Sequence, residues 1–299
     1  MRRGDRGKNI LALQKALESL GYDPGPCDGI FGGKTEDAVE DWQESVGLYS
    51  DGIFGRRSKE AMAKKFPEFA EAKPSETPVY ESQVIGWKSV PCDKLGPKLG
   101  FSRCTLRKDV ADKYAAFVEA LHEVGAVMTT AGGRRGLGSK TSPARSRTSM
   151  HYVGRAFDLA LPTGMRNPES DPYVIQQRDD DPRRWIVWAR ADKGEEMTIQ
   201  ACVWNRRKKL HKVEVSGKFV SFTSMAADYG FKPIRSRRSF LRGGSYAGAE
   251  WWHFQDEDGL IPGQTTFGEE LLRAYKLSRA KQFIYWDQVH DLKFKKGWA

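Results

Sequence analysis

A chain of 299 residues is long enough for one or two domains, each burying an apolar core without help from disulfides or metal. With 39% apolar and 11% aromatic residues it is not a disordered chain. A mean hydropathy of -0.61, with no apolar run near 18 residues, excludes a membrane-spanning helix. Lys and Arg outnumber Asp and Glu by 49 to 39, a net charge of +10. The first 66 residues are balanced, 11 basic against 11 acidic, so the whole excess lies beyond them. Such an excess favours an anionic partner, whether nucleic acid, anionic lipid or an acidic polymer.

The N-terminus, Met1 to Tyr22, is positively charged. It has no continuous apolar segment and no small-residue cleavage site, so a secretory signal is not expected. Ile10, Leu13, Leu17 and Leu20 fall at helical spacing instead. Asp28-Gly29-Ile30-Phe31-Gly32 recurs as Asp51-Gly52-Ile53-Phe54-Gly55, a pair of Asp-Gly turns each followed by apolar anchors. Thr35 is the expected cap of a second helix through Val39, Trp42 and Val46, with Gly47 at its end. Ser58 is the expected cap of a third, carrying Ala61, Met62 and Phe66.

This segment closely resembles the peptidoglycan-binding domain found at one end of many cell-wall hydrolases. The resemblance rests on Leu13-Gln14, Leu20-Gly21-Tyr22, the two Asp-Gly-Ile-Phe-Gly repeats, Thr35, Ala38-Val39, Trp42-Gln43 and Gly47-Leu48. It implies a small three-helix bundle over residues 1–66 with bacterial peptidoglycan as partner. Residues 67–85, with Pro67, Pro74 and Pro78 among charged residues, read as a linker.

The second domain is expected over 86–299. Val110, Tyr114, Phe117, Leu121 and Val124 mark an amphipathic helix. Strands are expected at 126–130, 155–161, 185–190, 197–204, 217–222 and 250–254, with a short helix from Ser224 to Tyr229 and another from Glu269. Helices and strands alternate irregularly, so the class is α+β.

Five histidines are present. His122 opens His-Glu-Val-Gly-Ala, but Ala126 stands where a zincin needs its second His. His122, His211 and His290 read as ordinary histidines. The four cysteines, Cys27, Cys92, Cys104 and Cys202, form no C-x-x-C and read as buried thiols. His151, Asp158 and His253 stand apart. Asp158 lies in the apolar run Ala156 to Leu161, where a carboxylate needs a metal or an arginine as partner. Two imidazoles and one carboxylate make a suitable catalytic zinc set, leaving one place for water.

Ser149-x-His151-x-x-Gly154-x-Ala156-x-Asp158 followed by Glu250-x-Trp252-His253 resembles the D-alanyl-D-alanine carboxypeptidase family of zinc peptidases. That family also includes phage L-alanyl-D-glutamate endopeptidases. The resemblance implies a mixed α+β zinc peptidase domain with a central antiparallel sheet, and Zn2+ on His151, Asp158 and His253. It makes Glu250 the general base for water and gives Ser149 and Trp252 a place beside the substrate. Thr130-Ala131-Gly132-Gly133-Arg134 resembles the family's T-S-G-Y-R, which makes Arg134 the substrate-clamping arginine. Arg135 follows directly and meets the need equally well.

One conflict is internal. In a regular strand Glu250 and His253 face opposite ways, so Glu250 must reach in from the turn before the strand. Asp158 and His253 are 95 positions apart, longer than a compact core needs. An insertion is therefore expected near 165–215, including the basic run Arg206-Arg207-Lys208-Lys209.

Together the two resemblances imply a monomeric, endolysin-like peptidoglycan hydrolase cutting the stem peptide, as an L-Ala–D-Glu endopeptidase. It would stay in the host cytoplasm until lysis and then act at the wall. A D-Ala-D-Ala carboxypeptidase and a non-catalytic wall-binding protein are the alternatives. Nucleic acid is not expected as partner, because the basic residues are scattered and no reading helix is evident.

Overall fold

The computed structural model describes residues 1–48, 50–69, 84–96, 100–140, 146–207 and 209–294. They fall into two compact units, one holding residues 1–69 with Ser146 and the other 84–140 with 147–294. Most of the expected linker, 70–83, lies outside the described residues, as does Lys208 of the basic run. No helix among the described residues is long and apolar enough to cross a membrane.

The first unit contains α1 (Lys8–Ser19), α2 (Gly33–Ser45) and α3 (Arg56–Ala63). Leu13, Leu17, Phe31, Val39, Trp42 and Phe54 form its core. Phe69 joins that core from a single 3-10 turn, so the unit extends past the expected end at Phe66.

The repeat in the sequence is a repeat of one device. The buried Gln14 amide donates to Asp28 Oδ1, Ile30 O and Thr35 Oγ1, while its carbonyl accepts from Gly29 N. Gln43 does the same for Asp51 Oδ1, Ile53 O and Ser58 Oγ, accepting from Gly52 N. Gly29 and Gly52 both have positive φ, 74° and 69°, which is why each turn needs glycine. Thr35 and Ser58 are therefore not helix caps. Each lies within the first turn of its helix, and its hydroxyl closes the glutamine clamp. Removing one clamp leaves buried backbone groups unpaired, at a cost of about 1–3 kcal/mol. Gln43→Leu is expected to lower the thermal unfolding midpoint of the first unit by several degrees. An unchanged midpoint would show that the clamp contributes nothing.

The second unit is mixed α+β, built on antiparallel sheets. β1 (Trp87–Pro91) pairs with β2 (Arg103–Arg107), which leads into α4 (Lys108–Glu123). α4 buries Val110, Tyr114, Phe117 and Leu121, the stripe read from the sequence. β3 (Ala156–Asp158), β8 (His253–Asp256) and β7 (Phe231–Pro233) form a central sheet in the order β3-β8-β7. Residues 126–130 form no strand; the chain pairs with β3 just after them, at a single Gly132–Asp158 bridge.

The expected insertion contains a second sheet, β4 (Tyr173–Gln177), β5 (Trp185–Asn205) and β6 (Lys209–Ser221), in that order. The two strands expected at 185–190 and 197–204 are one long strand. It shifts register between Arg190 and Glu195, and Gln176 pairs with both Ile186 and Ala201. The three strands share a small separate core of Val174, Ile199, Ala201, Val215 and Phe219. Of the basic run, Arg206 and Arg207 follow β5 and Lys209 opens β6. Ser221, not Ser224, caps α5 (Phe222–Asp228) by accepting from Ser224 N.

α6 (Arg238–Leu241) precedes β8, and α7 (Phe267–Ala274), α8 (Leu277–Ala280) and α9 (Trp286–Val289) follow it. α7 begins with a capping box of Thr266 and Glu269. All four cysteines are free thiols.

Candidate metal centre

The central sheet brings two distant parts of the chain together. Asp158 on β3 pairs directly with His253 on β8, and residues opposite one another on antiparallel strands have adjacent side chains. His151 arrives from the turn before β3, which Tyr152 N closes on Ser149 O at 3.0 Å. Ser149 thus shapes the turn that presents His151.

Three donor atoms converge. His151 Nε2 and His253 Nδ1 are 3.2 Å apart. Asp158 Oδ1 is 2.9 Å from His253 Nδ1, and its Oδ2 is 3.2 Å from His151 Nε2. Among the described residues this is the one cluster of His, Cys, Asp or Glu able to hold a metal ion. Ligands on a tetrahedral zinc with bonds of ~2.0–2.1 Å lie about 3.3 Å apart. The observed separations are close to that.

The hydrogen-bond partners of the rings support the fit. His151 donates from Nδ1 to Gly133 O at 2.5 Å, so its Nε2 lone pair faces the centre. Gln255 offers its oxygen to His253 Nε2 at 3.3 Å, so the Nδ1 lone pair does likewise. Two lone pairs and a carboxylate pointing at one spot repel unless a cation lies between them. The two imidazoles and Asp158 therefore fit a divalent ion. Burial alone would raise the Asp158 carboxyl, but His151 and His253 in their protonated form outweigh it and hold it well below the usual carboxylate range.

Glu250 stands in the turn that the sequence conflict required. A 3-10 turn at Tyr246–Gly248 precedes it, and His253 N closes the turn on Glu250 O at 3.1 Å. Glu250 has φ 53°, left-handed backbone that costs a residue with a side chain roughly 1–3 kcal/mol. Trp185 Nε1, donating to Ala249 O at 2.7 Å, helps hold it. Burial pushes the Glu250 carboxyl up, and Asp158 adds to this; Arg237 and His253 offset only part of it.

Each of the two candidate arginines lies over an aromatic ring. Arg134 stacks on Trp87, 4.3 Å from the ring centroid, with Tyr275 at 5.6 Å. Arg135 lies over Tyr152 at 5.3 Å. The guanidinium on Glu250 is that of Arg237, whose Nη2 is 2.9 Å and Nε 3.2 Å from Oε1. Nothing in the sequence marked Arg237, which lies in the unremarkable run Arg235-Ser236-Arg237-Arg238. Gly133, where the family pattern has Tyr, has a physical reason: a Cβ there would lie 2.5 Å from Thr105 O.

Trp252 is only 5% exposed. Its ring packs against Tyr246 and Trp251, and its carbonyl accepts from Leu159 N at 2.8 Å. Little of it is left to meet a substrate. The remaining histidines have local partners: His122 with Asp93, His211 with Lys209 O and His290 with Trp286 O.

Residues 6–62 match the family model of the peptidoglycan binding domain. The chain is 36% identical over 64 residues to the spore cortex-lytic enzyme of Bacillus cereus, covering 21% of this chain and 25% of that protein. It is 33% identical over 72 residues to the spore cortex-lytic enzyme of Bacillus subtilis strain 168, 24% of each. The chain thus spans about a quarter of the length of these curated relatives. Among solved structures, a Burkholderia AP3 phage endolysin is 24% identical, covering 42% of this chain and 38% of that one with a TM-score of 0.21. The L,D-transpeptidase (residues 123–326) of Xylanimonas cellulosilytica is 31% identical, covering 29% and 38%, also with a TM-score of 0.21.

Proposed function

We propose that the chain is a peptidoglycan hydrolase. Its first unit holds the wall, and its second cuts the stem peptide as a zinc-dependent L-Ala–D-Glu endopeptidase. The observation that carries this reading is the convergence of His151 Nε2, His253 Nδ1 and Asp158 within 2.9–3.2 Å, with Glu250 in the turn leading to His253. The match of residues 6–62 to a peptidoglycan-binding domain supports the substrate.

His151, Asp158 and His253 would hold the ion. When bound, it supplies a Lewis acid for the scissile carbonyl and makes water acidic enough to ionise near neutral pH. Glu250 takes the proton from the attacking water onto a carboxylate oxygen and returns it to the leaving amine. Its raised pKa suits both transfers. Arg237, on Oε1, fixes the carboxylate and leaves Oε2 to work. A wall-binding unit on the same chain raises the local concentration of the catalytic unit at an insoluble substrate.

Mass spectrometry of purified peptidoglycan after digestion tests the proposal. A new L-alanine carboxyl terminus is expected. Loss of a single terminal D-alanine would replace the endopeptidase with a carboxypeptidase. Bound but uncut wall would leave only a binding protein. Zinc analysis of the purified protein is expected to give one ion per chain, and His151→Ala to lose it.

A further inference from the structure

The nitrogen that His253 presents to the centre is chosen further along its own strand. In β8 the side chains of alternate residues share a face, so His253, Gln255 and the following Glu257 form a row. Gln255 is 4% exposed. Its Nε2 donates to Glu257 Oε1 at 2.8 Å. A carboxylate only accepts, so this bond fixes which way the amide points. Gln255 Oε1 then faces His253 Nε2 at 3.3 Å, and an amide oxygen also only accepts. His253 must carry its proton on Nε2, which leaves Nδ1 to face Asp158 and His151. His151 uses the opposite nitrogen, with Nδ1 tied to Gly133 O.

We propose that Gln255 and Glu257 are positioning residues for the metal centre, a two-link chain that sets the tautomer and ring orientation of His253. This rests on the reading of the three converging side chains as a metal site. Without the chain, the Nε2–H tautomer loses its preference and the ring can turn. The free energy of fixing both must then come from metal binding, which weakens it. The polarity of the chain can be reversed without loss. In Q255E/E257Q the new carboxylate still accepts from His253 Nε2, and the new amide donates to that carboxylate.

Zinc affinity of the full chain, measured by competition with a chromogenic chelator, tests this beside the unfolding midpoint of the metal-free protein. Gln255→Leu is expected to bind zinc about 10–100-fold more weakly than wild type, and Q255E/E257Q to stay within about threefold. Equal affinity in Gln255→Leu and wild type would overturn the proposal. So would a loss matched by a collapsed metal-free midpoint and not rescued by the double variant. Absence of zinc binding in the wild type would instead overturn the metal-site reading itself. Imidazole nitrogen NMR of the zinc-loaded wild type needs no variant: a proton on His253 Nε2 and a ligated Nδ1 are expected, and the reverse would sink the proposal.

Discussion

Glu250→Gln is expected to cut peptidoglycan about 10²–10⁴-fold more slowly than wild type, the usual worth of a positioned general base, with zinc content unchanged. The amide keeps the shape of the carboxylate and an oxygen for Arg237. Glu250 is not one of the three converging donors, so the ion has no reason to leave. Turbidity clearing of wall suspensions gives the rate, and metal analysis of the same sample gives occupancy. Full activity in the variant would remove Glu250 from the chemistry. Loss of zinc together with activity would place it among the ligands. Glu250→Gly makes the complementary test: it relieves the left-handed backbone at φ 53° and is expected to be no less stable than wild type, yet equally inactive. The strain is then a cost of function, retained because the turn must aim this side chain beside His253.

The second large effect concerns stability. Glu270 Oε2 on α7 accepts from Arg107 Nη1 at 2.7 Å and from Arg155 Nη1 at 3.0 Å. All three side chains are at most 3% exposed. Arg107 also holds Asp109, and Arg155 holds Asp256 and the backbone of Asp258. Removing one charge from such a buried network strands the others, typically at a cost of about 3–5 kcal/mol. Glu270→Gln is therefore expected to lower the unfolding midpoint of the second unit by roughly 6–20 °C at neutral pH.

The pH dependence has a definite sign. Burial alone would raise the Glu270 carboxyl, but Arg155 and Arg107 outweigh it and hold it below its ordinary value. Its contribution is fully present above the unfolded pKa of about 4.3. It is lost as pH falls through the depressed folded value. Wild type should thus lose stability as pH drops below about 4.3, and Glu270→Gln should lose less over that window. Asp109 and Asp158, also lowered, keep some acid sensitivity in the variant. Parallel curves for the two proteins would show that the Glu270 charge is not a stabilising part of the network.

Local signals in the sequence carried far. The α4 stripe was legible because helical spacing is a short-range pattern. The two Asp-Gly turns were legible because only glycine takes their backbone freely. Capping was misjudged at Thr35 and Ser58 because a hydroxyl near a helix start has two possible employers. The deciding partners, Gln14 and Gln43, lie 21 and 15 positions upstream. The single strand β5 read as two because its bend breaks the alternation that marks a strand.

At the candidate site, His151, Asp158, Glu250 and His253 stood out through the resemblance of their two motifs to a zinc peptidase family, and the structure brings His151, Asp158 and His253 together. The turn at Glu250 also followed from the sequence, because a period of two cannot place residues 250 and 253 on one face. Even the row His253, Gln255 and Glu257 obeys that period and was open to reading. The arginine partner of Glu250 was not. Arg134 and Arg237 are chemically identical, and only packing decides that one stacks on Trp87 while the other reaches the carboxylate. The register that sets Asp158 opposite His253, the close approach of β2 that leaves no room for a side chain at Gly133, and the choice of nitrogen on the His151 ring are likewise tertiary facts. They depend on contacts between parts of the chain 18 to 95 positions apart, and no local pattern encodes which distant atoms will meet.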